Sequence, residues 1–224
     1  SLSEDLAGDI AGDVIQLAAK ASVTLQQVPP ERIAELCHAD HHQGMVARMG
    51  PFPYTDLETL LAACEIAKHD ATQPPIVVMC DRIQDTFNFG AILRCCEAMN
   101  VAGVVIGSKE QATVTPQVAR SSAGAVNHVP IVMMRHIDDM VGLLTSAGFA
   151  IAAASEKSES AAWDADLKRP IALIVGSEAR GVSDELLQRC DYRLRIPMMG
   201  QVESLNAAVA TGILLYEIRR QQMC

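Results

Sequence analysis

A chain of 224 residues, half of them apolar and one-fifth charged, can bury one large α/β core plus a small appendage, which excludes the disordered and fibrous classes. A net charge of −9 argues against affinity gained chiefly by coating nucleic acid with Lys and Arg, and leaves room for a local basic patch drawn from Arg94, Arg120, Arg180, Arg193 and Arg195. Seven cysteines without metal-type spacing, no apolar run near the roughly 20 residues that span a bilayer, and no basic-then-apolar leader point to a cytoplasmic protein with reduced thiols.

In chain order, an Ala-rich helix is predicted from about Leu6 to Lys20, a strand at Val23–Gln27, a helix opened by Pro30, and a strand at Met45–Arg48. Two prolines and a glycine within Met49–Tyr54 mark a linker. Residues 1–50 are thus a small front domain, marginal for a core of its own, and residues 51–73 are linker plus a helix with Thr55 and Glu58 at capping-box spacing. Residues 74–224 form the main domain.

There, apolar runs at Ile76–Cys80, Gly103–Ile106, Val129–Val132, Ala150–Ala154, Ile171–Val175 and Tyr192–Ile196 are mostly separated by helical patterns at Gly90–Met99, Pro116–Ser122, Ile137–Ala147 and Ser183–Arg189. This predicts an α/β fold with a mostly parallel six-stranded sheet, helices on both faces, and a closing helix from about Ser204 to Gln221. Such sheets bind ligands beyond the carboxyl ends of their strands, so the loops after Cys80, Val175 and Ile196 are the candidate sites.

Each loop has two readings. Asn88-Phe89-Gly90-Ala91 followed by Arg94 is either a glycine that lets backbone approach a ligand, with Arg94 projecting back, or a helix start capped by Asn88 with Arg94 in solvent. Gly176-Ser177-Glu178-Ala179-Arg180-Gly181 lacks the dinucleotide and triphosphate glycine patterns, and is either a ligand loop or an ordinary strand-to-helix turn. In Ile196-Pro197-Met198 through Ser204-Leu205-Asn206, Ser204 serves as helix cap, and Asn206 becomes a polar amide in the first turn that needs a partner. His38, His41 and His42 lack metal-site spacing and are read as surface or RNA-contacting residues, and Trp163 in the polar loop Ser155–Pro170 as a packing residue.

In this order and at these separations the three segments resemble the motifs of the SpoU (TrmH-like) branch of the SPOUT RNA 2'-O-ribose methyltransferases. The resemblance runs from Ile76 to the C-terminus, and His42–Arg48 is similar to the end of a small L30e-like RNA-binding domain, here partial. It implies a C-terminal trefoil knot, a homodimer, and S-adenosyl-L-methionine held by Gly176, Ile196, Met198 and Leu205. It implies catalytic roles for Arg94, Asn88, Glu178, Ser204 and Asn206, with no metal and no membrane. The reaction implied is methylation of a ribose 2'-hydroxyl in ribosomal or transfer RNA, with a guanosine of ribosomal RNA as the expected target. Arginine, with a pKa above about 12, is a poor base, so Arg94 is expected to stabilise the alkoxide or anchor a phosphate. Glu178 either orients Arg94 or caps the helix near Ser183. Thr86 stands where the family commonly has proline, which is expected to loosen the first loop, and Ala179, Ala207 and Ala208 also depart from the pattern. A non-catalytic SPOUT-fold RNA-binding protein and a nucleotide-binding Rossmann protein are the alternatives.

Overall fold

In the computed structural model, which describes every residue except 7, 38–41, 70–72 and 203, the chain divides into two compact units, Ser1–Phe52 and Pro53–Cys224. His38 and His41 therefore lie outside the described residues. In the front unit, β1 (Leu2–Ser3) pairs in parallel with β2 (Gln27–Val28), joined through α1 (Gly8–Lys20), and α2 (Pro30–Cys37) follows. The strand expected from Val23 begins only at Gln27, because α1 closes first: Ser22 takes a left-handed φ of 54° and the Val23 amide donates to Ala18 O at 2.8 Å. The strand expected at Met45–Arg48 shrinks to one antiparallel bridge between Met45 and Leu2, since β1 offers only two residues to pair with.

The main unit opens with α3 (Leu57–Ala67). Asp56, not Thr55, caps it: Asp56 Oδ1 accepts the Thr59 amide at 2.7 Å, while the Thr55 amide is drawn to Ile131 O at 2.8 Å. The sheet follows as β3 (Ile76–Asp81), β4 (Gly103–Gly107), β5 (Ile131–Met134), β6 (Ala150–Ala154), β7 (Ile171–Gly176) and β8 (Tyr192–Leu194), in the spatial order β5-β4-β3-β7-β6-β8 and parallel throughout. β5 starts after Pro130, which has no amide to give the ladder. β8 stops at Leu194 because Arg195 pairs instead with Ser160 and Ala162.

Every residue of β3 is buried, which is why it reads as an unbroken apolar run. Its alternate residues Val77 and Met79, with Ala172 and Ile174 of β7, face a core shared with α3, α6 (Asp138–Ser146) and α7 (Asp184–Leu187). Helix α4 (Thr86–Ala98) packs against both α5 (Pro116–Ser121) and α8 (Ala207–Gln222). Gly90 lies inside α4, and a Cβ there would strike Ser121 of α5, so this glycine serves helix packing and not ligand approach. Near the other end of α8, the Arg219 guanidinium is buried without a carboxylate partner among the described residues and donates to Met99 O (2.8 Å), Pro74 O (2.8 Å) and Asn100 O (2.6 Å).

Segment 155–170 is tied down: Ser158 Oγ donates to Arg193 O at 2.6 Å and the Leu167 amide to Gln221 Oε1 at 3.1 Å. Trp163, on a short 3-10 turn in this segment, is 56% exposed and does not serve the packing role expected of it. Among the described residues, no helix is long and apolar enough to cross a membrane and no cluster of side chains could hold a metal ion.

The chain leaves β3 for β4 and β5 on one side, then returns to lay β7 on the other. The carboxyl ends of β3 and β7, with Asp81 in register with Gly176, therefore flank the crevice where such sheets bind ligands.

Candidate functional site

Two helix starts and one loop meet at this crevice. Asp85 caps α4, its Oδ1 accepting the Asn88 amide at 2.7 Å, so Asn88 sits in the first turn and its side chain is not the cap. Thr86 occupies the first helical position, a place where proline and threonine are both accommodated, so the departure at Thr86 leaves the loop regular. Helix α8 begins at Ala207, two residues later than a Ser204 cap would have it. Asn206 is its cap: Oδ1 accepts the amides of Ala208 (3.0 Å) and Val209 (3.2 Å).

The Asn206 amide group has two protons left, and both are used. One goes to Asn88 Oδ1 at 2.7 Å, the other to Glu178 Oε1 at 2.5 Å, and Glu178 Oε1 also accepts the Ala207 amide at 3.3 Å. A carboxylate beside the N-terminus of α8 is favoured by the helix dipole. Glu178 thus neither pairs with Arg94 nor caps α7, and the amide that opens α7, Ser183 N, is taken by Asp81 Oδ2 at 2.8 Å.

The loop that carries Glu178 folds back on itself. Ser177 and Gly181 form an antiparallel bridge, the Gly181 amide donates to Ser177 O at 2.7 Å, and Gly181 adopts a φ of 65°. A Cβ on Gly176 would collide with the backbone of Gly181, so only glycine permits this closure.

Two clefts share the loop as a wall. The first, about 270 Å³, is lined by Gly176, Glu178, Ile196, Met198, Ser204 and Leu205, together with the apolar Val175, Leu194 and Leu214. The second, about 240 Å³, opens between Arg82, Gln84, Asp85 and Asn88 on one side and residues 177–180 on the other. Seven of the nine residues named from sequence as site residues line these clefts, and an eighth, Asn206, joins their shared wall through its hydrogen bonds to Asn88 and Glu178. Arg94 lines neither cleft: it is exposed on α4 and makes no hydrogen bond or ion pair with the described residues.

Of the arginines that could have formed a local basic patch, only Arg180 lines the clefts. Arg180 lines both clefts but also makes an exposed pair with Glu110 at 3.6 Å, Arg193 and Arg195 donate to the carbonyls of Leu187 and Glu159, and Arg120 is exposed on α5. Beneath the site, burial pushes the Cys80 thiol up to about 12 and raises Cys96 well above its ordinary value, which makes both thiols inert as nucleophiles near neutral pH. Asp81 and Arg82 are contributors that sequence reading missed. The only local signal was a carboxylate ending an otherwise apolar buried strand.

Comparison with known proteins agrees with this architecture. Residues 75–216 match the SpoU rRNA Methylase family, and residues 2–55 match the RNA 2'-O ribose methyltransferase substrate-binding family. The first match covers more than half of the chain, which belongs to the SpoU rRNA methylase family and is by class an RNA methyltransferase. A Bacillus subtilis protein of the TrmH tRNA/rRNA methyltransferase family is 30% identical over 221 residues, 99% of this chain and 87% of its own. The AdoMet-bound rRNA methyltransferase of Sinorhizobium meliloti superposes with a TM-score of 0.77 at 25% identity, over 95% of this chain and 79% of that one. The SpoU methyltransferase AviRb of Streptomyces viridochromogenes does so with a TM-score of 0.76 at 26% identity, over 99% and 80%.

Proposed function

We propose that this protein methylates a ribose 2'-hydroxyl of RNA, with S-adenosyl-L-methionine in the first cleft and the acceptor nucleotide entering from the second. The observation that carries this reading is the chain of hydrogen bonds Asn88–Asn206–Glu178 at the wall the two clefts share. The first cleft suits the methyl donor: its volume is near the lower end of small-molecule sites, roughly 300 Å³ upward, its lining mixes apolar side chains with loop backbone, and Gly176 leaves no room for a Cβ. The bound cofactor supplies an electrophilic methyl group on a sulfonium sulfur.

The protein's own residues hold and orient. Asn206 and Glu178 fix the start of α8 against the loop, and Asn88 brings α4 to the same point, so that acceptor and donor approach across one rigid wall. Arg94 lies six residues beyond Asn88 on α4, about 9 Å along the helix axis and outside both clefts, so it would act on an acceptor nucleotide that extends past the second cleft. As a permanent cation it stabilises negative charge developing on the ribose oxygen or seats the adjoining phosphate, and the proton leaves to phosphate or water. Arg94→Ala should lower kcat by about a hundredfold at saturating RNA and cofactor, with no loss of melting temperature, and unchanged kcat would remove Arg94 from the mechanism.

A homodimer fits the exposed apolar side chains Phe87 (61%), Val209 (50%), Ile213 (42%) and Tyr216 (60%) on α4 and α8. The C-terminal segment would thread an earlier loop as a trefoil knot, and the front unit would contribute RNA contacts in the cytoplasm. A guanosine of ribosomal RNA is the proposed target. The test is transfer of labelled methyl to total RNA followed by mapping of the modified ribose. A modified transfer RNA would reassign the substrate, and no incorporation beside an active control enzyme would leave a non-catalytic RNA-binding protein.

A further inference from the structure

We propose that Arg82 is a positioning residue that shapes the cofactor loop from outside it, acting through Asp81 and Gly181. Arg82 follows the last residue of β3 and adopts a φ of 60°, in the left-handed region that glycine enters freely and that other residues enter at a cost. An arginine held in that conformation needs a compensating interaction, and the side chain provides one. Its Nε and Nη2 donate to Asp81 Oδ1 and Oδ2, both at 2.9 Å, and Nη2 also reaches Gly181 O at 3.3 Å. The Asp81 side chain is 6% exposed, against 23% for Arg82, and its Oδ2 accepts the Ser183 amide as well.

One two-point ion pair therefore grips the returning limb of the β7–α7 loop at Gly181 and Ser183 and holds it against the end of β3. The outgoing limb moves with it, because Ser177 is bridged to Gly181 and the backbone of Gly181 fills the place of a Cβ at Gly176. Glu178 lies between these two limbs, and its carboxylate must meet Asn206. Loosening Gly181 would thus deform the floor of the first cleft and the wall it shares with the second. Removing the guanidinium would also leave a nearly buried carboxylate without its cation, which forces local rearrangement.

This inference rests on the proposal that the first cleft binds the cofactor, and two readouts keep them apart. The variants are Arg82→Gly, which relieves the backbone, Arg82→Ala, which does not, and Arg82→Lys, which keeps a cation but loses the two-point geometry. Calorimetric titration of the full chain with S-adenosylhomocysteine should show affinity about tenfold weaker in both Arg82→Gly and Arg82→Ala, and intermediate in Arg82→Lys. Melting temperature should separate the first two, with the glycine variant higher. A merely structural role would make affinity follow melting temperature, and that pattern, or affinities within twofold of the parent, would overturn the proposal. Hydrogen exchange without ligand gives the second readout: the Gly181 and Ser183 amides should exchange about tenfold faster in Arg82→Ala, while those of β4 do not change. If the parent protein bound no S-adenosylhomocysteine, the cofactor reading would fail, and the exchange at Gly181 and Ser183 would still decide whether Arg82 shapes the loop.

Discussion

The helix starts of α4 and α8 stand side by side at the site, and they are capped by different logic. Asp85 serves α4 alone, accepting an amide three residues ahead of it. Asn206 serves α8 with its oxygen and spends its two protons on Asn88 and Glu178, which lie 118 and 28 residues away. A carboxylate cap has no protons to give, whereas an amide cap accepts for its own helix and donates to others at once. The choice of amide at position 206 therefore joins the motifs, and the choice of carboxylate at position 85 only starts a helix.

The largest effect should come from Asn206→Ala, which removes cap and bridge together. We expect stability lower by about 1–2 kcal/mol and kcat/KM lower by about a hundredfold, read by thermal melting and steady-state kinetics. Asn206→Asp sharpens the contrast. It keeps the acceptor for Ala208 and Val209, loses both donated protons and sets a second carboxylate against Glu178, so activity should fall about as far as in the alanine variant while more of the stability survives. Asp85→Ala should cost about 1 kcal/mol and leave the affinity for S-adenosylhomocysteine within about twofold, since Asp85 lines the second cleft and not the first. Equal losses of cofactor affinity in Asp85→Ala and Asn206→Ala would break the distinction. The smallest effect is expected for Thr86→Pro, a change of under about 1 kcal/mol in melting experiments, because the first helical position needs no amide.

The parts legible in the sequence were those dictated by burial on both faces of a strand. Five of the six runs that predicted the sheet are apolar because most of their positions are enclosed, while in the sixth, at Tyr192–Ile196, only Leu194 is buried; the largest shifts of their ends came at Pro130 and at Leu194, where a missing amide or a competing partner intervened. Caps were legible only as types. Ser204 and Asn206 are equally good caps by propensity, and what selects Asn206 is a pair of acceptors far away in the chain. Thr55 lost to Asp56 for a similar reason, its amide being drawn to Ile131. At the site, the small and apolar residues that line the first cleft were visible as motif positions. The absence of Arg94 from both clefts was not, because a periodic pattern places a residue on a helix without saying what faces it. Nor was the grip of Arg82 on the loop, since no local pattern announces an arginine with a φ of 60°.

Helix α8 carries the cap Asn206 at one end and the buried Arg219 at the other, and the residues that Arg219 grips, Pro74, Met99 and Asn100, are made more than a hundred residues before it. During synthesis the sheet strands up to β7 leave the ribosome while these carbonyls and the side chains of Asn88 and Glu178 still wait for their partners. The site is thus incomplete until the helix from Ala207 to Gln222 has emerged and docked, and a ribosome paused before that point holds a largely completed sheet whose site has not closed.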